Sequence, residues 1–158
     1  MGTTDSEPKS LCLAFKRMDN VLMRFVRARM AEAGFDEVTV MHGWILGFLF
    51  RNKDRAVYQK DIEEEFSIAK STVTNILKCM EKKGYVTRVP DEHDARLKRL
   101  ELTARGENIH KKAIHHIDEI HARIETDISD EERQCFWQIL FKIKNNMNNI
   151  EKGMKVDD

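Results

Sequence analysis

Apolar side chains recur three and four positions apart along most of the chain, which is the spacing of one helix face. The pattern predicts a first helix over about 10–33, with Gly34 as a candidate C-terminal cap. A second helix over about 38–52 is apolar on most sides, so we expect it to be the buried central helix. Gly43 and Gly47 within it would allow another helix to approach closely.

Two short helices follow in close succession. The first covers about 58–66, and the second covers about 69–83 after the tight link Ser67–Ile68. Gly84 is placed to end the second helix. Its apolar stripe should face the core and comprises Val73, Ile76, Leu77 and Met80.

The pattern then changes to alternating and β-branched residues, which predicts two strands over 85–89 and 97–102. The polar segment 90–95 between them is typical of the turn of a hairpin. Thr103 caps a long helix that runs to about residue 126, and a last helix runs from a capping box at Ser129–Glu132 to about residue 151. The fold class is therefore mainly α with a small β-hairpin. The inward face of the last helix should hold Phe136, Ile139, Leu140, Ile143, Met147 and Ile150.

Composition narrows the class of protein. The chain has 158 residues and a formal net charge of zero, which suits one domain. Its uncharged stretch 38–50 is shorter than the roughly 20 apolar residues of a membrane helix, and its first ten residues lack a secretion signal. We therefore expect a cytoplasmic protein. The cysteines are widely spaced, which argues against a disulfide framework or a zinc cluster and favours core or interface packing for Cys12, Cys79 and Cys135.

Charge is unevenly distributed along the chain. Residues 67–105 carry nine Lys/Arg against five Asp/Glu, whereas residues 106–158 carry eight against eleven. A helix that protrudes from the protein surface fits the major groove of B-DNA. Short polar side chains on it suit base edges, and cations suit phosphates. The face of the second short helix opposite its apolar stripe offers such groups, namely Lys70, Ser71, Thr72, Thr74, Asn75 and Lys78.

The hairpin tip offers a second candidate contact with DNA. An arginine on a thin loop can enter the minor groove, where the electrostatic potential is more negative. Arg96 stands at such a place, and Asp94 is positioned to hold it in one rotamer through a bidentate pair. His93, Lys98 and Arg99 add polar and basic groups beside it.

Three stretches of this region resemble the MarR family, the multiple antibiotic resistance regulators. They are residues 67–77, residues 80–88 and the D-x-R-x-x-R segment 94–99, which is followed by Leu102, Thr103 and Gly106. The resemblance implies a winged helix-turn-helix over 38–103 within a single domain, 1–158. It also implies dimerisation helices over 10–34 and 104–152.

The same resemblance implies a homodimer on a pseudo-palindromic DNA operator, with the first, fifth and sixth helices forming the dimer base. Arg96 would reach the minor groove, Asp94 would orient it, and residues 70–78 would read the major groove. Ala69-Lys70 stands where the family often has Ser-Arg, so the usual serine cap would have to come from Ser67 or Ser71. The predicted DNA-binding residues are Lys70, Ser71, Thr72, Thr74, Asn75, Lys78, Arg88, His93, Asp94, Arg96 and Lys98.

The favoured function is a repressor that is released from DNA by a small aromatic or other ligand. Trp44, Phe48, Phe15 and Phe25 are candidates for lining an aromatic pocket. The alternative is a regulator that senses oxidant through Cys12, by oxidation of its thiolate to sulfenic acid.

Other function classes are less favoured. The cluster His110, His115, His116 and His121 lacks the i, i+4 spacing of helical metal ligands, so no metal and no cofactor is expected. A winged helix that binds protein instead of DNA is disfavoured by the exposed polar groups of the second short helix and the hairpin. The chain has no phosphate loop, nucleophile motif or paired carboxylates, so we do not expect an enzyme.

Overall fold

The computed structural model describes residues 10–35 and 39–154, with side chains as far as residue 150. Every predicted element is present, and each observed end lies within three residues of the predicted one, except that Val38 falls outside the described residues. The chain divides into two compact units, Met1–Ile120 and His121–Asp158. The elements are α1 (Leu11–Glu32), α2 (Val40–Arg51), α3 (Gln59–Phe66), α4 (Lys70–Lys82), β1 (Val86–Pro90), β2 (Lys98–Leu102), α5 (Ala104–Ile124) and α6 (Asp130–Met154).

Helix ends follow the local chemistry of the sequence. The predicted capping box of α6 is present, because Ser129 and Glu132 exchange side-chain-to-backbone hydrogen bonds of 3.2 and 2.8 Å. Gly34 and Gly84 take positive φ angles of 80° and 68° just beyond α1 and α4, as predicted for glycines that end helices. Each turn is closed by a backbone bond from the residue after the glycine, for example from Tyr85 N–H to the Met80 carbonyl at 2.9 Å.

The core of the first unit surrounds α2, which is the buried central helix predicted from its apolar character. Ile45 and Leu46 of α2 are almost completely buried, and Ile62 of α3 packs in the same cluster. The predicted inward stripe of α4 is also correct, since Val73, Leu77 and Met80 are fully buried. These contacts fix which side of α4 faces away from the protein.

The hairpin pairs β1 with β2 in antiparallel register, from Val86 opposite Leu102 to Pro90 opposite Lys98. Pro90 therefore belongs to the strand, not to the turn as the sequence suggested, and its position at the strand end is one where proline is tolerated. Leu97 lies outside β2 and is 49% exposed, because it closes the turn through its backbone N–H to the Asp94 carbonyl.

The segment before α3 joins this sheet. The N–H of Leu100 donates to the Val57 carbonyl at 2.7 Å, and Tyr58 forms an isolated antiparallel bridge with Arg99. The start of α3 is thus attached to the strand that leads out of the hairpin tip.

Three glycines, Gly43, Gly47 and Gly106, differ in how closely neighbouring atoms approach them. A Cβ on Gly43 would meet nothing within 4 Å, so the predicted close approach there is wrong. Gly47 does face a neighbour, with its Cβ position 3.5 Å from Cε1 of His110 on α5. The tightest site is Gly106, where a Cβ would lie 2.0 Å from the carbonyl oxygen of Tyr85.

Several apolar side chains are more exposed than predicted. Cys12, Cys79 and Cys135 are all exposed in the single chain, so core packing is wrong for each of them. The stripe of α6 that was expected to face inward is exposed or only partly buried, as are most apolar residues of the first half of α1. The predicted inward orientation of the α6 stripe is therefore wrong for the single chain, since little covers these faces among the described residues.

None of the helices in the described part of the chain is long and apolar enough to cross a membrane.

Replacing Gly106 with alanine should destabilise the first unit by about 2–3 kcal/mol, because the new methyl group would overlap a backbone carbonyl that cannot turn aside. Gly43→Ala is the matched control. Its methyl group enters open space inside a helix, so it should stabilise the fold by up to about 1 kcal/mol. Urea unfolding of both variants measures the difference, and equal effects would contradict the assigned packing.

The buried histidines should make stability depend on pH. Burial, with a smaller contribution from Lys83, lowers the pKa of His42, and burial with Arg51 lowers that of His110. A lowered folded-state pKa means that stabilisation is complete above the unfolded pKa, about 6.5, and is lost as the pH falls towards the folded pKa. The free energy of unfolding should therefore decrease as the solution is acidified below about pH 6.5.

His42→Gln isolates one part of this effect. Nδ1 of His42 accepts the Thr39 N–H at 3.3 Å in a capping box, and glutamine at this position keeps an acceptor without titrating near neutral pH. The variant should lose part of the acid destabilisation in unfolding curves recorded across the pH range. His115→Gln, an exposed position on the same unit, is the control, and an unchanged pH dependence in His42→Gln would refute the assignment.

Candidate nucleic-acid interface

The outward face of α4 is polar and accessible. Opposite the buried stripe, five of the predicted residues are exposed: Lys70, Ser71, Thr72, Asn75 and Lys78. Ala69 is the N-cap residue and provides no side-chain hydrogen bond, and Ser67 lies in the left-handed region at φ 51°. The predicted substitution of the missing cap by Ser67 or Ser71 is therefore wrong. The first-turn N–H groups of α4 are left without a side-chain cap, and such groups suit an anion.

Thr74 differs from its neighbours because it joins two helices. Its hydroxyl donates to the Lys70 carbonyl at 2.8 Å and accepts from the side-chain amide of Gln59 at 2.9 Å. The same amide nitrogen of Gln59 lies 2.9 Å from a carboxylate oxygen of Glu63, one turn further along α3. Gln59 thus ties α3 to α4, a role that no local sequence signal indicated.

Arg96 and Asp94 form the predicted bidentate pair at the hairpin tip. Nε and Nη2 of Arg96 each donate to a different carboxylate oxygen of Asp94 at 2.9 Å, and the Arg96 backbone N–H donates to Oδ1 at 3.0 Å. These hydrogen bonds lower the pKa of the Asp94 carboxyl and keep it charged. The Arg96 side chain is nevertheless 90% exposed, so a fixed guanidinium points into solvent.

Asp91 organises the loop beneath this pair and was not among the predicted residues. Its Oδ1 accepts the backbone N–H groups of His93 and Asp94 at 2.9 and 3.3 Å. Its Oδ2 accepts the phenolic hydroxyl of Tyr58 at 2.6 Å. The hydrogen bond with Tyr58 is the main reason why the pKa of Asp91 lies below its usual range. Aspartate often accepts backbone N–H groups two residues further along a turn, so the sequence could have indicated that Asp91 organises the loop. No local pattern indicated its hydrogen bond with Tyr58, which lies 33 positions away.

The remaining predicted residues occupy different settings. Arg88 is half-buried and forms an ion pair with Glu81 of α4 at 3.2 Å, so it braces β1 against that helix. Lys98 is exposed, and its ammonium group donates to the Ala95 carbonyl at 3.0 Å. Arg99 is held between Glu92 and Glu101 at 3.0 and 2.7 Å. The exposed cations of the hairpin therefore concentrate at its tip.

The histidines of α5 are dispersed. His110 is buried beside the Phe50 ring, with ring centroids 4.6 Å apart, and His116 contacts Phe35. His115 and His121 are exposed. Within residues 10–35 and 39–150, no group of three or more His, Cys, Asp or Glu side chains is arranged to hold a metal ion.

Two of the four predicted pocket aromatics meet. Trp44 stacks on Phe66 at 6.4 Å, and Phe48 contacts the same ring edge-on at 6.0 Å, whereas Phe15 and Phe25 are exposed on α1. A cavity of about 430 Å³ lies elsewhere, between the end of α2, the loop before α3 and β2. The aromatic effector pocket stays a prediction.

The amino-acid sequence is similar to those of known transcriptional regulators. A sequence model of the MarR family matches residues 37–97. The chain is 30% identical over 95 residues to the uncharacterized HTH-type transcriptional regulator YdgJ of Bacillus subtilis, a match covering 60% of this chain and only 58% of that protein. It is 28% identical over 127 residues to the HTH-type transcriptional repressor YetL of the same species, covering 79% and 71% of the two chains.

Solved structures share the fold. The chain matches the S. aureus MepR–DNA complex with a TM-score of 0.79 at 21% identity, covering 90% of this chain and 99% of that one. At this identity the match establishes a common winged helix architecture, in which α3 and α4 form the helix-turn-helix and β1–β2 form the wing.

Proposed function

We propose that this chain is a MarR-family regulator, namely a sequence-specific DNA-binding repressor that acts as a homodimer. The observation that carries the proposal is the pairing of two features within residues 1–120. One is the exposed polar face of α4, and the other is the exposed Arg96, which Asp94 holds in one orientation.

The α4 face suits the major groove. Short hydroxyl and amide side chains on a helix can approach base edges, and the uncapped first turn offers N–H groups to a phosphate. Lys70 and Lys78 add charge at the two ends of this face and release counterions when they meet phosphates. MepR, which shares the fold, was solved in complex with DNA, and this supports the same use of the helix.

The wing suits the adjacent minor groove. A thin hairpin with a fixed arginine at its tip loses little side-chain entropy on binding, and the narrow groove attracts its charge. The neighbouring Lys98 contributes a further exposed cation. Arg88 is a secondary contact at most, since Glu81 already neutralises it.

Dimerisation follows from the apolar faces that one chain leaves uncovered. On α1, Leu11, Phe15 and Met18 are exposed. On α6, Phe136, Trp137 and Phe141 are more than half exposed. Soluble proteins rarely expose contiguous apolar surface of this kind unless a partner covers it. A second copy would supply that partner, and for such a twofold dimer we expect half-sites about one helical turn of DNA apart.

Repression is supported by the similarity to YetL, which is named a repressor. We propose that a small ligand, aromatic or other, releases the DNA. The alternative trigger is an oxidant acting at Cys12, whose side chain is exposed on α1. Release of a bound duplex by aromatic acids or by peroxide, in the parent and in Cys12→Ser, separates the two triggers.

Arg96→Ala should weaken binding to a duplex selected from a random pool by about fivefold or more, since a groove-reading arginine contributes about 1–3 kcal/mol. Fluorescence anisotropy gives the affinity, and analytical ultracentrifugation should show an unchanged dimer. Lys112→Ala removes an exposed cation on α5 and should leave the affinity unaltered. Equal affinities for Arg96→Ala and the parent protein would exclude the wing from the interface.

Lys70→Ala should weaken binding to all sequences alike and reduce the dependence of affinity on salt. Removing one lysine–phosphate interaction from each subunit should lower the slope of log K against log salt by about two per dimer. The slope is obtained from anisotropy titrations between low and physiological salt. A slope that stays at the parent value in Lys70→Ala would argue against a phosphate interaction at the start of α4.

A further inference from the structure

The wing tip is anchored twice, once locally and once from a distance. The local anchor is the pair between Asp94 and Arg96. The distant anchor is Tyr58, whose hydroxyl donates to the Asp91 carboxylate at 2.6 Å across a separation of 33 positions. Because Asp91 also accepts the N–H of Asp94, a continuous hydrogen-bonded path runs from Tyr58 to the guanidinium of Arg96.

Tyr58 is itself fixed on the protein side. It is the N-cap residue of α3, and its backbone N–H donates to the Asp61 carboxylate at 2.7 Å. Its backbone also bridges to Arg99, beside the bond between Leu100 and Val57. The phenol therefore extends from the start of α3, at a point whose backbone is held by Asp61 and by β2.

The next residue in the chain, Gln59, contacts α4 instead of the hairpin. Its side-chain amide donates to the Thr74 hydroxyl at 2.9 Å. Two consecutive side chains at the start of α3 thus contact the two elements proposed to enter adjacent grooves. A shift of this turn would move both elements together.

We infer that Tyr58 is a positioning residue that sets the orientation of Arg96 through Asp91 and so links the wing to the helix-turn-helix. The inference rests on the proposed DNA-binding function for its consequence, but its structural content can be measured without DNA. When the hydroxyl is removed, Asp91 keeps its backbone hydrogen bonds but loses its tie to α3. The loop then samples more conformations, and binding has to restore the order.

Tyr58→Phe in the full chain tests this with minimal change of shape. The affinity for the selected duplex should fall about threefold to tenfold, the range expected for one hydrogen bond. In an Arg96→Ala background the same change should have no further effect, because the group being positioned is absent. Glu92→Gln is the control, since it alters a neighbouring loop carboxylate outside the path and should leave this coupling intact.

Amide hydrogen exchange and 15N relaxation provide the readout that needs no DNA. In Tyr58→Phe, the amides of His93 and Asp94 and the Nε–H of Arg96 should become more mobile, while α4 keeps its protection. Equal losses of affinity in the parent and Arg96→Ala backgrounds would overturn the inference, as would unchanged mobility at the three sites. If the parent protein binds no duplex, the proposed function fails, and the relaxation data alone decide the positioning role.

Discussion

The close packing of Gly106 against Tyr85 is the constraint on which the proposed DNA-binding surface depends. The Tyr85 carbonyl accepts the Thr103 N–H at 3.1 Å, while the Thr103 hydroxyl donates to the Gly84 carbonyl at 2.6 Å and accepts the Gly106 N–H at 3.0 Å. The end of α4, the beginning of β1 and the first turn of α5 therefore meet at one point. Only glycine at position 106 leaves room for this meeting, so the Leu-Thr-x-x-Gly pattern has a steric basis.

Two kinds of interaction, apolar burial and hydrogen bonding, form that surface. Apolar burial of Val73, Leu77 and Met80 fixes which side of α4 faces outward, and it is insensitive to small rotations. Directional hydrogen bonds join Tyr58 to Asp91 in the wing loop and Gln59 to Thr74 of α4. Burial provides stability here, while the polar contacts would provide the precision that the proposed groove reading demands.

The sequence predicted what depends on near neighbours. Helical periodicity located the helices, and alternating and β-branched residues located the two strands. The spacing of Asp94 and Arg96 was enough to predict their pair, because residues two positions apart in a tight loop lie close together. The bond between Tyr58 and Asp91 spans 33 positions, and only the folded chain brings them together. Gly43 and Gly47 show the same limit, since residues with the same local pattern meet open space in one case and His110 in the other.

The apolar faces of α1 and α6 extend this reasoning from the fold to the assembly. A stripe at helical spacing indicates that a face is buried, but it does not say whether the covering atoms belong to the same chain. Trp137 is 61% exposed and Phe141 is 66% exposed in the single chain, although both lie on a regular, well-capped helix. Their exposure is costly in water, at about 25 cal/mol per Å² of apolar surface. The exposed apolar pattern fits the proposed homodimer, in which a second copy would cover these faces.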